Sequence, residues 1–262
     1  MSDDGSMRVP GSSEVDDDLD RDTPDRSAPA VHHPRRVTSF RARRSTISDR
    51  QQAVWDARWP ELGLLARTGD EPPAPLDTDA WFGRHAPLVL EIGCGTGTST
   101  LAMAQAEPDL DVIAVEVYKR GLAQLLSAID REDVGNIRLI RGDGVDVLSH
   151  MLESGSLTGV RVFFPDPWPK ARHHKRRLLQ PDTVALIADR LRPGGIFHAA
   201  TDHQGYAEQI AEVGDAEPRL RRVSPDADSP ISLPISVDRP ETKYERKALA
   251  GPVVTELLWA RS

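Results

Sequence analysis

The chain has 262 residues, enough for one α/β domain plus additional segments, and a net charge of −8 that, read over the whole chain, argues against a nucleic-acid partner. That charge is uneven: residues 1–26 hold nine acids and three bases, so this stretch carries −6 and the remainder only about −2. The single cysteine, Cys94, excludes an internal disulfide and a zinc site built on several cysteines. Cysteine usage points to an intracellular, cytoplasmic protein; no apolar run is long enough to span a bilayer, and the acidic N-terminus is unlike a signal peptide.

Residues 1–35 are rich in Asp, Ser and Pro and nearly lack apolar side chains, so they read as a disordered acidic tail. Residues 36–80 read as a basic arm, a short helix and a linker. In the arm, Arg41, Arg43, Arg44 and Arg50 surround Phe40 and Thr46, which suits either a solvated connector or a segment that orders on RNA. Residues 51–66 predict an amphipathic helix with Val54, Trp55, Trp59, Leu62 and Leu65 as its apolar points, interrupted by Pro60. Pro72, Pro73 and Pro75 mark residues 70–80 as the linker.

From residue 81 to 262 the pattern becomes that of one catalytic-type domain. Short apolar runs at 88–92, 112–115, 137–140, 160–164 and 196–200 alternate with helical periods at 98–106, 119–129, 145–152 and 183–191. This alternation predicts a doubly wound, mostly parallel, seven-stranded Rossmann-like sheet with helices on both faces. Pro193, Gly194 and Gly195 predict a turn into a strand, residues 223–240 a long loop, and residues 253–259 a late strand at an edge.

The first strand ends in Glu91, Gly93, Cys94, Gly95 and Gly97. In such a sheet, ligands bind at the carboxyl ends of the strands, where glycines allow a tight turn and a close approach. Dinucleotide sites use G-x-G-x-x-G, whereas here the third glycine comes one residue early. An acid two residues before the first glycine repels a pyrophosphate and suits a ligand with positive charge, such as the amino group and sulfonium of S-adenosylmethionine. The pattern resembles motif I of the class I methyltransferases. Glu116, at the end of the second strand, is placed to accept hydrogen bonds from ribose hydroxyls. Asp143, after the third, reads either as an adenine contact or as the cap of the helix that follows. Thr98 and Ser99 are candidate caps for the helix after the glycines, and Cys94 reads as a small loop residue rather than a nucleophile.

The fourth strand runs into Pro165, Asp166, Pro167, Trp168 and Pro169, where three prolines stiffen the backbone and Asp166 projects at the strand end. Trp168 is placed either to stack on a base or to cover the core. Lys170, Arg172, His173, His174, Lys175, Arg176 and Arg177 follow, a cationic run suited to phosphates. The adjacent histidines lack a third ligand, so no metal site is expected.

At this point the chain resembles the bacterial tRNA (guanine-N7-)-methyltransferases. The resemblance is carried by Phe164 to Lys170, His174 to Leu178, Ala200 to Asp202 with Tyr206, and Thr242 to Glu245, together with Glu91, Glu116 and Asp143. It implies S-adenosylmethionine as cofactor, tRNA as partner and guanosine 46 of the variable loop as the methyl acceptor. By position it implies that Glu91, Gly93, Gly95, Gly97, Glu116, Asp143 and Asp166 line the cofactor site, with Asp166 also catalytic. Lys170, Asp202, Thr242, Lys243, Tyr244 and Glu245 correspond to the substrate site, and Arg172 to Arg177 to the RNA-contacting loop. Ala171 departs from the family, where many members carry a second base, and the acidic tail lies outside the family pattern. A class I enzyme acting on a small molecule or protein, or a non-catalytic RNA-binding subunit, are the alternatives. The sequence leaves monomer or homodimer undecided.

Overall fold

The expected apolar runs pair into one sheet in the computed structural model, which describes residues 46–67, 72–224, 233–240 and 253–262. The strands are β1 (Gly63–Leu65), β2 (Leu88–Ile92), β3 (Asp111–Glu116), β4 (Ile137–Arg141), β5 (Leu157–Phe163), β6 (Leu191–Thr201), β7 (Leu220–Val223) and β8 (Thr255–Arg261). Their order is β1-β4-β3-β2-β5-β6-β8-β7, and all run parallel except β8, which is antiparallel to both its neighbours. The chain leaves β2 toward β3 and β4, then returns to β5 on the other side of β2. That reversal opens a crevice at the carboxyl ends of β2, β3 and β5.

The helices are α1 (Asp49–Leu62), α2 (Thr78–Phe82), α3 (Thr98–Ala106), α4 (Lys119–Glu132), α5 (Gly144–Asp146), α6 (Pro181–Arg190) and α7 (Gln204–Ala216). Strand residues of period two divide the core into two layers. Leu90, Ile113, Val160 and Phe197 face α6 and α7, whereas Val89, Val112, Ala114 and Ile196 face α1 and α4. Helix α4 buries Leu122, Leu125, Leu126 and Ile129, the i, i+3, i+4, i+7 spacing of a single apolar face.

Several expectations are revised. Pro60 does not interrupt α1 but sits in its last turn, and the helix ends two residues later. Its start is fixed by a capping box in which Ser48 and Gln51 satisfy each other's backbone N–H groups. Trp55 and Trp59 stack at 4.0 Å, and Gly63 passes beneath Trp59, where a Cβ would lie 2.2 Å from the ring. The chain then forms β1, an eighth strand that pairs with β4. Residues 63–65 therefore belong to the main sheet and α1 packs against its strands, although the sequence pattern sets 36–80 apart. The expected linker ends in a helix that starts inside it, residues 78–82, capped by Asp77 onto the Ala80 N–H. Helix α5 is a single turn that continues as a π-helical turn over Val147–Met151 instead of one regular helix. The late strand β8 lies inside the sheet, and the edge is β7, a strand the apolar pattern does not announce. Trp259 explains the inward position: it is fully buried, stacks on Phe197 at 5.3 Å and donates its indole N–H to Asp215. The expected tail at 1–35, the arm residues Arg41, Arg43 and Arg44, and Thr242, Lys243, Tyr244 and Glu245 lie outside the described residues.

Asn136 joins the two halves of the first crossover. Its buried amide donates to the carbonyls of Ala104, Glu107 and Leu110 at 2.9, 3.2 and 2.9 Å, completing the turn that leads α3 into β3. Asn136→Ala strands these acceptors, so urea denaturation is expected to show a loss of about 2 kcal/mol with an unchanged m-value.

Candidate active site at the carboxyl edge of the sheet

Gly93, Gly95 and Gly97 all adopt left-handed backbone, with φ of 79°, 57° and 76°. A side chain is disfavoured at each position, and at Gly93 and Gly95 the space a Cβ would enter is open. The loop is pinned to β3 by the N–H groups of Gly93 and Cys94, which both donate to the Val115 carbonyl. Helix α3 starts directly from Gly97 without a side-chain cap, so the expected capping by Thr98 and Ser99 is not what the structure uses.

Glu116 completes the loop. One carboxylate oxygen accepts from Gly95 N–H at 3.0 Å, and the other accepts from Val117 and Tyr118 N–H at 2.7 and 3.0 Å. Three lone-pair sites are thus taken by backbone, leaving about one for a ligand hydroxyl. Burial pushes this carboxyl above the ordinary range, the three N–H bonds draw it back, and the charge of Asp166 adds to the rise. Helix α4 can approach because its residue 121 is glycine: a Cβ there would lie 2.2 Å from the Gly95 carbonyl oxygen.

Glu91 is buried on β2, and its Oε2 has no hydrogen-bond partner in the protein. Burial raises its proton affinity most, while Arg161 and Thr100 oppose the rise. The Thr100 hydroxyl lies close by but outside hydrogen-bonding geometry. Asp143 caps α5 through the Val145 N–H at 3.0 Å, so the capping role is real, and it also lines the crevice. The Cys94 thiol is buried and held well above its ordinary range by burial and by the charges of Glu91 and Glu116, which suits an inert loop residue.

The crevice is lined on one side by Gly93, Glu116 and Asp143 and on the other by Phe163, Phe164 and Asp166. Phe164 and Trp168 both have positive φ, 50° and 42°, a strain of about 1–2 kcal/mol for a non-glycine residue. Asp166 stands exposed between them. Asp202 is exposed at the end of β6, the strand next to β5, but does not line the crevice itself.

Trp168 covers the core: it is 4% exposed, meets His173 edge-on and lies beneath the Arg176 guanidinium at 5.0 Å. Its burial sets aside the base-stacking alternative. The cationic run forms a 3-10 turn over Ala171–Arg176 that leaves Lys170, Arg172, Lys175 and Arg176 exposed, with His173 and His174 half-buried. Arg177 corrects the expectation of an RNA contact. It is buried and donates to the carbonyls of Pro167 and Gly205 and to the Gln209 side chain, and its guanidinium lies over the Tyr206 ring at 4.8 Å. Tyr206 is itself fully buried, its hydroxyl accepting from Leu179 N–H, and burial pushes its pKa up to about 12.

Sequence reasoning missed the polar groups on the α3 side of the sheet. Arg161, Glu107, His198, Glu256 and Arg239 form buried or half-buried pairs there, and residues 233–240 pack across β5. The available signal was Arg161 itself, a charge in an otherwise apolar central strand. Among the described residues no group of three or more His, Cys, Asp or Glu is arranged to hold a metal, and no helix is long and apolar enough to cross a membrane.

The residues in and behind the crevice fit S-adenosylmethionine: Gly93 with open space above it and carboxylates at the end of β3 and after β4 line it, while the unpartnered, buried Glu91 and the glycines Gly95 and Gly97 stand outside its lining. Residues 85–253 match the model of the family described as "Putative methyltransferase". The chain is 76% identical to a tRNA (guanine-N(7)-)-methyltransferase of Mycolicibacterium gilvum over the full length of both chains. It is 72% identical to one of Mycolicibacterium vanbaalenii, covering 100% of this chain and 99% of that one. It is 67% identical to one of Mycobacterium bovis, covering 86% and 85%.

Burial predicts that neighbouring arginines behave differently. Arg177→Ala is expected to lower stability by about 3 kcal/mol, whereas Arg176→Ala stays within about 0.5 kcal/mol of the parent, both read by chemical denaturation.

Proposed function

The chain belongs to the tRNA (guanine-N7-)-methyltransferase family, and from that membership we propose that it transfers a methyl group from S-adenosylmethionine to N7 of guanine in tRNA, at guanosine 46 of the variable loop. The observation that carries this reading is the shared crevice. Gly93, Glu116 and Asp143 occupy one wall and Asp166 the other, with an exposed cationic turn beginning five residues after Asp166. A tRNA substrate also fits a cytoplasmic setting.

When bound, S-adenosylmethionine supplies an electrophilic methyl group on a sulfonium. In this reading Glu91 faces its ammonium, the glycine loop receives its backbone, Glu116 accepts from a ribose hydroxyl, and Asp143 borders the adenine. Guanine N7 carries a free lone pair and has no proton to lose, so the chemistry needs no strong general base. The task left to the protein is alignment of acceptor and donor. Asp166 and Asp202, exposed at neighbouring strand ends, accept hydrogen bonds from guanine N1–H and its exocyclic amine, a pattern adenine does not offer. Their negative charge also opposes the positive charge that develops on the purine. Lys170 and the segment Thr242, Lys243, Tyr244 and Glu245 complete the proposed substrate side.

Incubating undermodified tRNA with labelled S-adenosylmethionine and mapping the modified nucleotide tests the reading, with label expected at N7 of guanosine 46. In the same assay Asp166→Asn is expected to lower kcat about a hundredfold at saturating tRNA. Near-normal turnover in that variant rejects the role given to Asp166.

The exposed cations make a separate prediction. Neutralising Arg172, Lys175 and Arg176 together is expected to weaken tRNA binding and flatten its dependence on salt by about 0.7–0.9 log units for each phosphate that no longer meets a cation. S-adenosylmethionine affinity should hold, and an unchanged salt slope removes this turn from the interface.

A further inference from the structure

Arg161 lies in the middle of β5 with none of its side chain exposed. In register it stands beside Glu91 on β2 and His198 on β6. Its Nη2 donates to Glu107 Oε2 at 2.6 Å and to the Ser236 carbonyl at 3.1 Å. Nε and Nη1 have no hydrogen-bond partner, and neither does Glu91 Oε2 on the adjacent strand. A guanidinium does not shed its proton in a protein, so a permanent cation is buried one strand away from an acid that burial drives toward its neutral form.

The other side of Arg161 is a tether. Glu107 also accepts the Ser236 N–H at 2.5 Å, so one carboxylate joins Arg161 to residues 233–240. Ile235 of that segment covers Gly159 so closely that a Cβ there would sit 2.6 Å from its Cδ1. Farther along, the Arg239 guanidinium lies 4.8 Å from the Phe164 ring and pairs with Glu256, which in turn meets His198. A tether alone would need only Nη2. A buried guanidinium with two nitrogens free of hydrogen bonds, next to a carboxylate oxygen that also has none, asks for a second role.

We infer that Arg161 is a positioning residue for the cofactor: beside Glu91 in the sheet, it supplies the countercharge that keeps this carboxylate available to an ammonium group, and through Glu107 it ties residues 233–240 across the same strand. The inference rests on the proposed reading of Glu91 as the acid facing the ammonium of S-adenosylmethionine. Facing Glu91 are Arg161 from β5, Thr100 from α3 and Cys94 from the glycine loop, which also feels Glu116; β3 contributes Ala114 in register. Arg161 is the one cation in this set. The carboxylate binds an ammonium above its own pKa and loses it as pH falls through that value. Removing Arg161 moves this loss to higher pH.

Calorimetric titration of S-adenosylmethionine into the full chain, from pH 6.0 to 7.5, tests the inference while the ligand amino group stays below its ordinary titration range. Arg161→Met is expected to bind more weakly at pH 6.0 than the parent, with the deficit narrowing as pH rises, since each unit by which the variant's titration lies above the assay pH is about tenfold in affinity. Arg161→Lys keeps the charge and is expected to stay close to the parent. Unchanged affinity in Arg161→Met, or a loss independent of pH and shared by Arg161→Lys, overturns the inference. Glu91→Gln separates the two layers. If it binds like the parent, the reading of Glu91 fails; if it loses affinity while Arg161→Met does not, only the role of Arg161 fails. Hydrogen exchange on the ligand-free protein gives a second readout, with faster exchange at residues 233–240 expected in Arg161→Met. Should that variant not fold, Glu107→Gln replaces it. Loosening the tether while leaving the cation, it is expected to speed exchange at 233–240 and keep cofactor affinity, and a loss of affinity there overturns the inference.

Discussion

The carboxylate of Glu116 is the bond on which the site depends. It takes the Gly95 N–H from the loop after β2 and the Val117 and Tyr118 N–H groups from the loop after β3, so the loops that leave two paired strands are joined by one side chain. Each loop alone would leave its amides to solvent, and a crevice lined by loosely held backbone would reorganise on binding. The tie works only because the first turn of α4 has a glycine at position 121 that lets the helix sit against the Gly95 carbonyl. Burial raises the proton affinity of Glu116, and the three backbone donors counter that rise, so the same bonds that shape the loop also favour the charged form.

On the opposite wall, backbone strain fixes direction. Phe164 and Trp168 are held at positive φ on either side of Asp166, with prolines at 165, 167 and 169 removing alternative paths. Conformations of this kind persist only where the surroundings fix them. Phe164 is fixed by its N–H to the Ala200 carbonyl, and Trp168 by burial between His173 and Arg176. Arg177 then clamps Pro167 to α7 through Gly205 and Gln209. Asp166 is left exposed on a segment with little freedom, as suits a residue proposed to orient a base rather than to move a proton.

The central strands and the glycine loop are legible in the sequence because period-two burial and left-handed glycines leave direct marks there. The apolar run at 88–92 and the helical period at 98–106 have the same bounds in the structure. What escapes has opposing local signals. β1 is three residues long and follows a proline-containing helix, so no periodicity can accumulate. β8 looks like an edge strand because strands near a chain end often are, yet Trp259 on Phe197 holds it inside the sheet and leaves the short β7 at the edge. The acids of the crevice are visible by spacing, and so is the helix cap at Asp143, but the loop tie made by Glu116 is a fact of three-dimensional proximity.

The arginines show where reading by residue type ends. Arg176 and Arg177 are adjacent in a run that looks uniformly cationic, yet one lies exposed over Trp168 and the other is buried with its nitrogens committed to Pro167, Gly205 and Gln209. Arg161 sits in a run that looks uniformly apolar and carries a charge no solvent reaches. Desolvation decides among these roles. A cation that stays hydrated contributes a screened, salt-dependent attraction suited to a polyanion. One that is stripped of water instead acts on its nearest neighbours strongly and over a short range. For a chain with a net charge of −8, proposed to bind RNA, this separation matters more than the total. Lys170, Arg172, Lys175 and Arg176 stay exposed just beyond Asp166, while Arg177 is buried against Pro167 and α7 and Arg161 within β5.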